Sequence, residues 1–138
     1  MALIKWFEDQ EAGVVIVSMG PGDLLLEGIR QAAKATGIHT GAVISGLGSL
    51  TRANLSLLGQ KVEMEQKLEI MQFNGVIAAG EPHIHITLAD ASGRFHGGHV
   101  NDGCMINTVA ELTIQRLPGL RLALKLRDGS AIKLLDEE

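Results

Sequence analysis

The sequence predicts an α+β domain in which an antiparallel β-sheet packs with one main helix near the N-terminus. Three observations support this class: an amphipathic helical stretch follows an early strand, strand-like segments fill the rest of the chain, and 17 glycines supply turns and bulges. The 138 residues fit a single domain spanning 1–138, which is long enough for one hydrophobic core. Because aromatic residues make up only 3% of the chain, this core must be aliphatic.

The first predicted elements are a strand and the helix. Residues 14–19 form a β-branched run that ends at the Gly-Pro-Gly of 20–22. Asp23 predicts the helix start, since its carboxylate can accept hydrogen bonds from free backbone N–H groups. Gly37 is placed to end the helix as its C-terminal cap. The predicted buried face of this helix consists of Leu25, Ile29, Ala32 and Ala33.

The chain after the helix predicts strands. Alternating or continuous apolar patterns of strand length cover 40–47, 52–58, 66–73, 83–99, 108–117 and 120–126. The glycine-containing segment 46–49 is expected to break the first two apart. Asn74-Gly75 is either a turn or a bulge within a longer strand. Pro118-Gly119 indicates a turn, so 120–126 is expected to return as the partner of 108–117.

Histidines mark the segment 83–99, which predicts a β-hairpin. His83 and His85 must point the same way, because strand side chains alternate between the two faces with a period of two. With Ala-Ser-Gly at 91–93 as a three-residue loop, counting back along both strands pairs His85 with His99. Directly paired residues share a face with Cβ atoms about 5 Å apart, so the three imidazoles are expected to converge.

The register of this hairpin has alternatives. A two-residue turn would shift the pairing by one and bring His96 to His83 and His85 in place of His99. A bulge at Gly97-Gly98 would also change the count. The three-residue loop is preferred because it places Gly93 where a positive φ is needed. In that register His96 faces away, and His39 lies at the end of the helix, so both are interpreted as non-ligands.

Three imidazoles that meet at one point are typical of a metal site, although histidines on one sheet face can also be structural. Neutral imidazole suits several divalent transition metals, and zinc is the first expectation where no thiolates are present. The predicted ligands are therefore His83, His85 and His99. Three protein ligands leave one coordination position open, where a bound water could reach a pKa near ~7.

Three carboxylates are candidates for a general base or for a group that supports the ligands. Glu111 is the most suggestive, because it sits in mid-strand between apolar positions, and Asp102 and Glu81 are the others. A solvated surface carboxylate is the simpler interpretation of each. The sequence therefore names Glu111 only as a candidate catalytic residue.

Composition excludes some function classes. The net charge of −4 and a pI near 5.7 argue against a general nucleic-acid binder. Arg116, Arg121, Lys125 and Arg127 cluster in sequence, but neighbouring carboxylates indicate a solvated face. The single cysteine excludes an intrachain disulfide, and no leader or membrane span is recognised. A cytoplasmic location without membrane contact is expected.

The chain resembles a known family along 14–116. The segments that carry the resemblance are ISGLGSL at 44–50, LEI at 68–70, HIHITLAD at 83–90, GRFHGGH at 93–99 and TVAE at 108–111. They are similar to the PPC domain, the plant and prokaryote conserved domain, whose bacterial members are often called PD1-like DNA-binding proteins. The resemblance implies an α+β fold, a homotrimer and a metal bound at His83, His85 and His99. The DNA-binding AT-hook of plant members is absent from this sequence.

These observations lead to one expected function and two alternatives. We expect a homotrimeric metal-binding domain protein that binds or processes a small molecule at its three histidines. The alternatives are a DNA-associated regulatory protein, against which the missing AT-hook argues, and a protein-interaction module whose histidines are structural. The partners expected from the sequence are other copies of the chain and a small-molecule ligand.

Overall fold

The computed structural model describes residues 3–138, which form nine strands and one helix in that range. In chain order they are β1 (Lys5–Asp9), β2 (Val14–Met19), α1 (Leu25–Thr36), β3 (Gly41–Leu57), β4 (Gln60–Ala78), β5 (Glu81–Ala89), β6 (Phe95–Val100), β7 (Met105–Arg116), β8 (Leu122–Leu126) and β9 (Lys133–Glu137). The predicted class is confirmed as a mostly antiparallel sheet with one helix near the N-terminus.

Seven strands form one sheet in the order β1-β2-β7-β3-β4-β5-β6. The last strand of this order pairs back onto β3 through Leu55 with Val100 and Ser56 with His99. Strands β3, β4, β5 and β6 therefore close on themselves. This closure gives the histidine hairpin a neighbour on each side.

The helix buries the predicted face and ends where expected. Its buried residues are Leu25, Leu26, Gly28, Ile29, Ala32 and Ala33, and Gly37 follows in the left-handed conformation with φ 72°. The prediction that Asp23 caps the helix was wrong. Its carboxylate accepts hydrogen bonds from the backbone N–H of Leu3 at 3.2 Å and of Gly20 at 2.9 Å, both on its N-terminal side. Asp23 therefore binds the backbone of the chain that precedes the helix. Leu24 occupies the N-cap position and makes no side-chain hydrogen bond there.

Strand β3 is continuous through the glycines that were expected to break it. Its pairing with β7 shifts register between Val43 and Ser45 and again between Gly48 and Leu50, which marks β-bulges. A Cβ on Gly48, at φ 141°, would lie 2.1 Å from the carbonyl oxygen of Val109. This glycine therefore permits a close strand approach within a longer strand.

The expected pairing of β8 with β7 was also wrong. Strand β7 already lies between β2 and β3, so neither of its edges is free for a further partner. The chain after Pro118-Gly119 instead forms a separate two-stranded sheet from β8 and β9. Strand β1, which was not among the predicted strands, pairs with β2 at the sheet edge.

The core is aliphatic, as expected, and lies between α1 and the inner face of the sheet. Phe73 is the one aromatic side chain in the buried core of the described range, and the large residues around it include Leu50, Leu55, Leu68 and Ile84. All residues of this core fall within 15–114. Over residues 3–138, no helix combines the length and the hydropathy that crossing a membrane requires.

Candidate metal centre

The β5–β6 hairpin has the loop that the sequence predicts. The Asp90 N–H donates to the Arg94 carbonyl at 2.9 Å, and the Gly93 N–H donates to the Asp90 carbonyl at 2.9 Å. Gly93 adopts φ 83°, the left-handed conformation that the three-residue loop needs. The predicted register is confirmed, because His85 pairs directly with His99.

The Asp90 carboxylate stabilises this turn. Its oxygens accept hydrogen bonds from the Ser92 N–H at 2.9 Å and the Arg94 N–H at 3.0 Å, and one oxygen lies 2.9 Å from Nε2 of His96. The contact with His96, followed by those with Ser92 and Arg94, lowers the pKa of Asp90 well below its usual range. A charged Asp90 therefore fixes the loop that sets the register of the histidines.

Three histidines converge on the outer face of the sheet. One ring nitrogen from each of His83, His85 and His99 can be chosen so that all three lie within 4.8 Å of one another. The ring centroids of His83 and His99 are 4.9 Å apart, against 5.5 Å for His83 and His85 and 5.7 Å for His85 and His99. The structure thus brings together the three residues that the sequence singled out.

The other two histidines lie elsewhere, as expected. His96 pairs with Leu88, which points into the core, so it occupies the opposite face of the hairpin. His39 contacts the Thr40 hydroxyl at 2.9 Å and the Glu138 carboxylate at 2.8 Å. Neither imidazole takes part in the three-histidine cluster.

The cluster fits a transition metal ion. Nitrogens bound to one tetrahedral zinc at 2.0–2.1 Å lie about 3.3 Å apart, which is within the 4.8 Å that encloses the three ring nitrogens here. His83 and His85 are exposed, and His99 is half-buried. Burial, and then the proximity of His83 and His85, lower the pKa of His99. This favours the neutral imidazole that a metal requires.

Strand β4 brings the neighbouring backbone close to the cluster. Asn74 pairs with His85, and Val76 pairs with His83. Gly75 lies between them, and a Cβ there would sit 1.9 Å from the carbonyl oxygen of His83. The absence of a side chain at Gly75 therefore allows β5 its position against β4.

A charged network flanks the site, and the sequence pattern did not reveal it. Arg30 of α1 donates from Nε to both oxygens of Glu81, at 3.0 and 3.1 Å, and from Nη2 to the same carboxylate at 2.7 Å. Its Nη1 donates to Asp102 at 2.6 Å. The hydrogen bonds to Glu81 and then to Asp102 raise the pKa of Arg30 above its already high value. Two of the three carboxylates considered as bases are therefore paired with a cation.

Polar side chains connect the end of β6 to β3 beside His99. The Asn101 side chain donates to the Ser56 hydroxyl at 2.8 Å, and the Asn54 side chain donates to the Asp102 carbonyl at 2.8 Å. The Asn54 Oδ1 is buried and has no hydrogen-bond donor within the described part of the chain. Together with His99 and Lys61, these groups line an open groove of about 420 Å³.

Glu111 is not brought to the histidines within one chain. It lies on β7, where it pairs with Ser18 of β2 and Leu47 of β3, and its side chain is exposed. In the sheet order, β3 and β4 separate β7 from β5. Its candidate catalytic role remains a prediction.

The family follows from a sequence comparison. Residues 7–118 match the Plants and Prokaryotes Conserved (PCC) domain. The chain belongs to this family. The matched residues include the whole histidine hairpin and end before β8. The match agrees with the resemblance to the PPC domain, which is the same family under another abbreviation.

Curated relatives and solved structures extend the comparison of this PCC protein. Two proteins described as "Bifunctional protein GlmU", from Synechococcus sp. strains JA-2-3B'a(2-13) and JA-3-3Ab, are 34% and 35% identical over 105 and 96 residues. These matches cover 75% and 68% of this chain. The chain spans only 17% and 16% of the length of those relatives.

Three solved structures share the PCC fold at lower sequence identity. A protein from Bacteroides thetaiotaomicron, described as a candidate DNA-binding protein, has a TM-score of 0.86 and 17% identity, with 97% of each chain covered. The metal-containing protein AF0104 from Archaeoglobus fulgidus has a TM-score of 0.75 and 20% identity, covering 99% of this chain and 100% of that one. A plant- and prokaryote-conserved protein from Pyrococcus horikoshii has a TM-score of 0.75 and 23% identity, covering 99% and 96%.

Proposed function

We propose that this PCC protein is a homotrimeric metal-binding protein that binds or processes a small molecule at a three-histidine site. The observation that carries the proposal is the convergence of three ring nitrogens, all within 4.8 Å of one another, from two paired strands. A relative of the same fold described as metal-containing supports it. A divalent transition metal is the expected ion, with zinc first among them because three histidines with one open position form a known zinc ligand set.

The residues of the proposed site have different roles. His83, His85 and His99 would hold the ion and leave a position open to the ligand. A zinc ion held this way supplies Lewis-acid polarisation and lowers the pKa of a bound water. The groove beside His99 offers the Ser56 hydroxyl and the Asn101 amide for recognition of a polar small molecule. Protein polar groups at the edge of an open metal position are typical of ligand sites.

The metal proposal is tested by the zinc content and affinity of purified variants. The double variant His83→Ala/His85→Ala should lose stoichiometric zinc, because only one imidazole then remains. His39→Ala is the matched control, since it removes a histidine that contacts Glu138 away from the site. Equal zinc content in the double variant and the wild type would refute the metal proposal.

A trimer is supported by an exposed apolar surface on the outer face of strands β1, β2, β7 and β3. Its large side chains are Phe7, Ile16, Ile44, Leu47 and Val109. Register places Phe7 opposite Ile16 and both on one face with Ser18 and Glu111. An exposed face that carries several large apolar side chains is typical of a subunit interface, and other copies of the chain are the proposed occupants. Sedimentation equilibrium should give three times the chain mass, and a monomer would refute this part of the proposal.

We propose that duplex DNA is not a direct partner. Several arginines of the C-terminal basic cluster are paired with carboxylates: Arg116 with Glu8, Arg121 with Glu138, and Arg127 with Asp136. These pairs reduce the positive charge that this cluster offers to phosphates, and the net charge of the chain is −4. Gel-shift titration at near-physiological salt should show no retarded complex, and a salt-resistant complex would favour the DNA-associated alternative.

A further inference from the structure

The two strands that carry the histidines separate at the site. The pairing between β5 and β6 runs from Ala89 with Phe95 to His85 with His99 and ends there. His83 lies beyond this point and pairs only with Val76 of β4. The ring pair with the shortest separation is nevertheless that of His83 and His99, at 4.9 Å. The β5–β6 pairing therefore does not extend to His83.

Arg30 bridges the two strands just beyond the point where their pairing ends. Glu81 precedes His83 by two residues and, by strand alternation, projects on the same face. Asp102 follows His99 by three residues, in the turn after β6. The Arg30 guanidinium donates to Glu81 at 2.7–3.1 Å and to Asp102 at 2.6 Å, so one planar group holds both chain segments against α1.

Arg30 also separates two like charges. Without its guanidinium, the exposed carboxylates of Glu81 and Asp102 would face the same space with no shared cation, so they would repel each other and β5 and β6 would lose their bridge. Exposed ion pairs contribute little to global stability. The consequence of losing Arg30 is therefore local, at the end of the hairpin where His83 and His99 must meet.

We propose that Arg30 is a positioning residue for the metal site: its bridge between Glu81 and Asp102 sets the spacing of His83 and His99. This inference rests on the proposed metal-binding function. Groups hydrogen-bonded directly to metal ligands change metal affinity by about 10–100-fold when they are removed, and Arg30, which acts through Glu81 and Asp102, is expected near the lower end of that range. Arginine is suited to the task, because its rigid fork can bind two carboxylates at once, which a lysine ammonium on a flexible stem cannot do equally well.

The test compares zinc affinities, measured by competition with a chelating indicator, in four full-length proteins. Arg30→Gln should weaken zinc binding by roughly tenfold or more relative to wild type. Arg116→Gln is the matched control: its side chain is 24% exposed against 34% for Arg30, and it pairs with Glu8 at the opposite end of the sheet order. This control should keep the wild-type affinity. The triple variant Arg30→Gln/Glu81→Gln/Asp102→Asn should recover part of the loss, because the repelling charges are gone.

The outcomes separate this inference from the function on which it rests. Zinc affinity in Arg30→Gln equal to that of wild type would overturn the positioning role while leaving the metal site intact. An equal loss in Arg116→Gln would also overturn it, since the effect would then be general destabilisation. A wild-type protein that binds no zinc would refute the metal-binding proposal itself. Recovery in the triple variant would support the mechanism, because simple loss of contacts cannot produce it.

Discussion

At the scale of single residues, Gly75 shows how closely the site depends on backbone packing. A Cβ at this position would lie 1.9 Å from the His83 carbonyl oxygen. The nearest atoms all belong to the backbone, which cannot rotate away as a flexible side chain can. Gly75→Ala should therefore displace β5 and destabilise the protein by about 1–3 kcal/mol, with weaker zinc binding. Thermal unfolding and zinc titration check both effects.

Gly119→Ala is the control for this prediction, because a Cβ at that position meets no atom within 4 Å. It should leave both the melting temperature and the zinc affinity unchanged. Wild-type zinc affinity in Gly75→Ala would contradict the claim that the β4–β5 approach positions His83.

Asp90 gives a pH dependence whose sign follows from its lowered pKa. Contacts with His96, Ser92 and Arg94 keep its carboxylate ionised in the folded protein below the ordinary pKa of 3.8. The charged form therefore stabilises the fold above pH 3.8, and this contribution is lost as the pH falls through the lowered pKa. Asp90→Asn should lower the melting temperature at neutral pH, and its deficit against wild type should shrink in strong acid. A deficit that persists unchanged there would show that the charge is not responsible.

Some of the residues that form the site could be predicted from the sequence. The register that places His99 could be predicted because it follows from two local rules. His83 and His85 are two residues apart on one strand, and the three-residue loop needs Gly93 at a positive φ. Arg30 could not be found this way. Its partners Glu81 and Asp102 are 51 and 72 residues away, and on a helix wheel it reads only as a solvated cation. The bonds of Asn54 and Asn101 beside His99 are likewise products of tertiary packing.

At the scale of elements, hydrophobic periodicity predicted where strands occur. It did not predict where each strand begins and ends, or all of the pairing partners. The helix and β2 were predicted well, since an amphipathic stripe and a β-branched run are local signals. Strand β3 was divided in two because the glycines of 46–49 look like a break, whereas in the sheet they are places of close approach to β7. The partner of β8 was misassigned because sequence adjacency does not reveal that β2 and β3 already flank β7.

The β8–β9 sheet is an element that the metal site should not need. It pairs with no strand of the seven-stranded sheet, and all core residues lie within 15–114. Its contacts with the rest of the chain include the Leu122 N–H with the Thr40 hydroxyl at 3.0 Å and Glu138 with His39 at 2.8 Å. Deleting residues 120–138 should lower the melting temperature but leave zinc affinity within about twofold of wild type. A folded deletion variant without zinc binding would contradict this independence.

At the scale of the whole molecule, the outer apolar face should decide the assembly. Leu47, 54% exposed, lies on that face beside Glu111, whereas Leu58 is 98% exposed in the turn between β3 and β4. Leu47→Glu would bury an unpaired charge in the proposed interface, which is strongly unfavourable. It should reduce the sedimenting mass to that of a monomer, while Leu58→Glu should remain trimeric. If the Leu47→Glu variant is still a trimer, the interface must lie on another surface.

The central claim is that His83, His85 and His99 together bind one metal ion. An anomalous difference map, recorded at the zinc edge from crystals of protein purified with added zinc and no chelator, tests it most directly. The account predicts one strong peak per chain at 2.0–2.1 Å from a ring nitrogen of each of the three histidines. A map without a peak among these rings, from crystals in which zinc is plentiful, would contradict it.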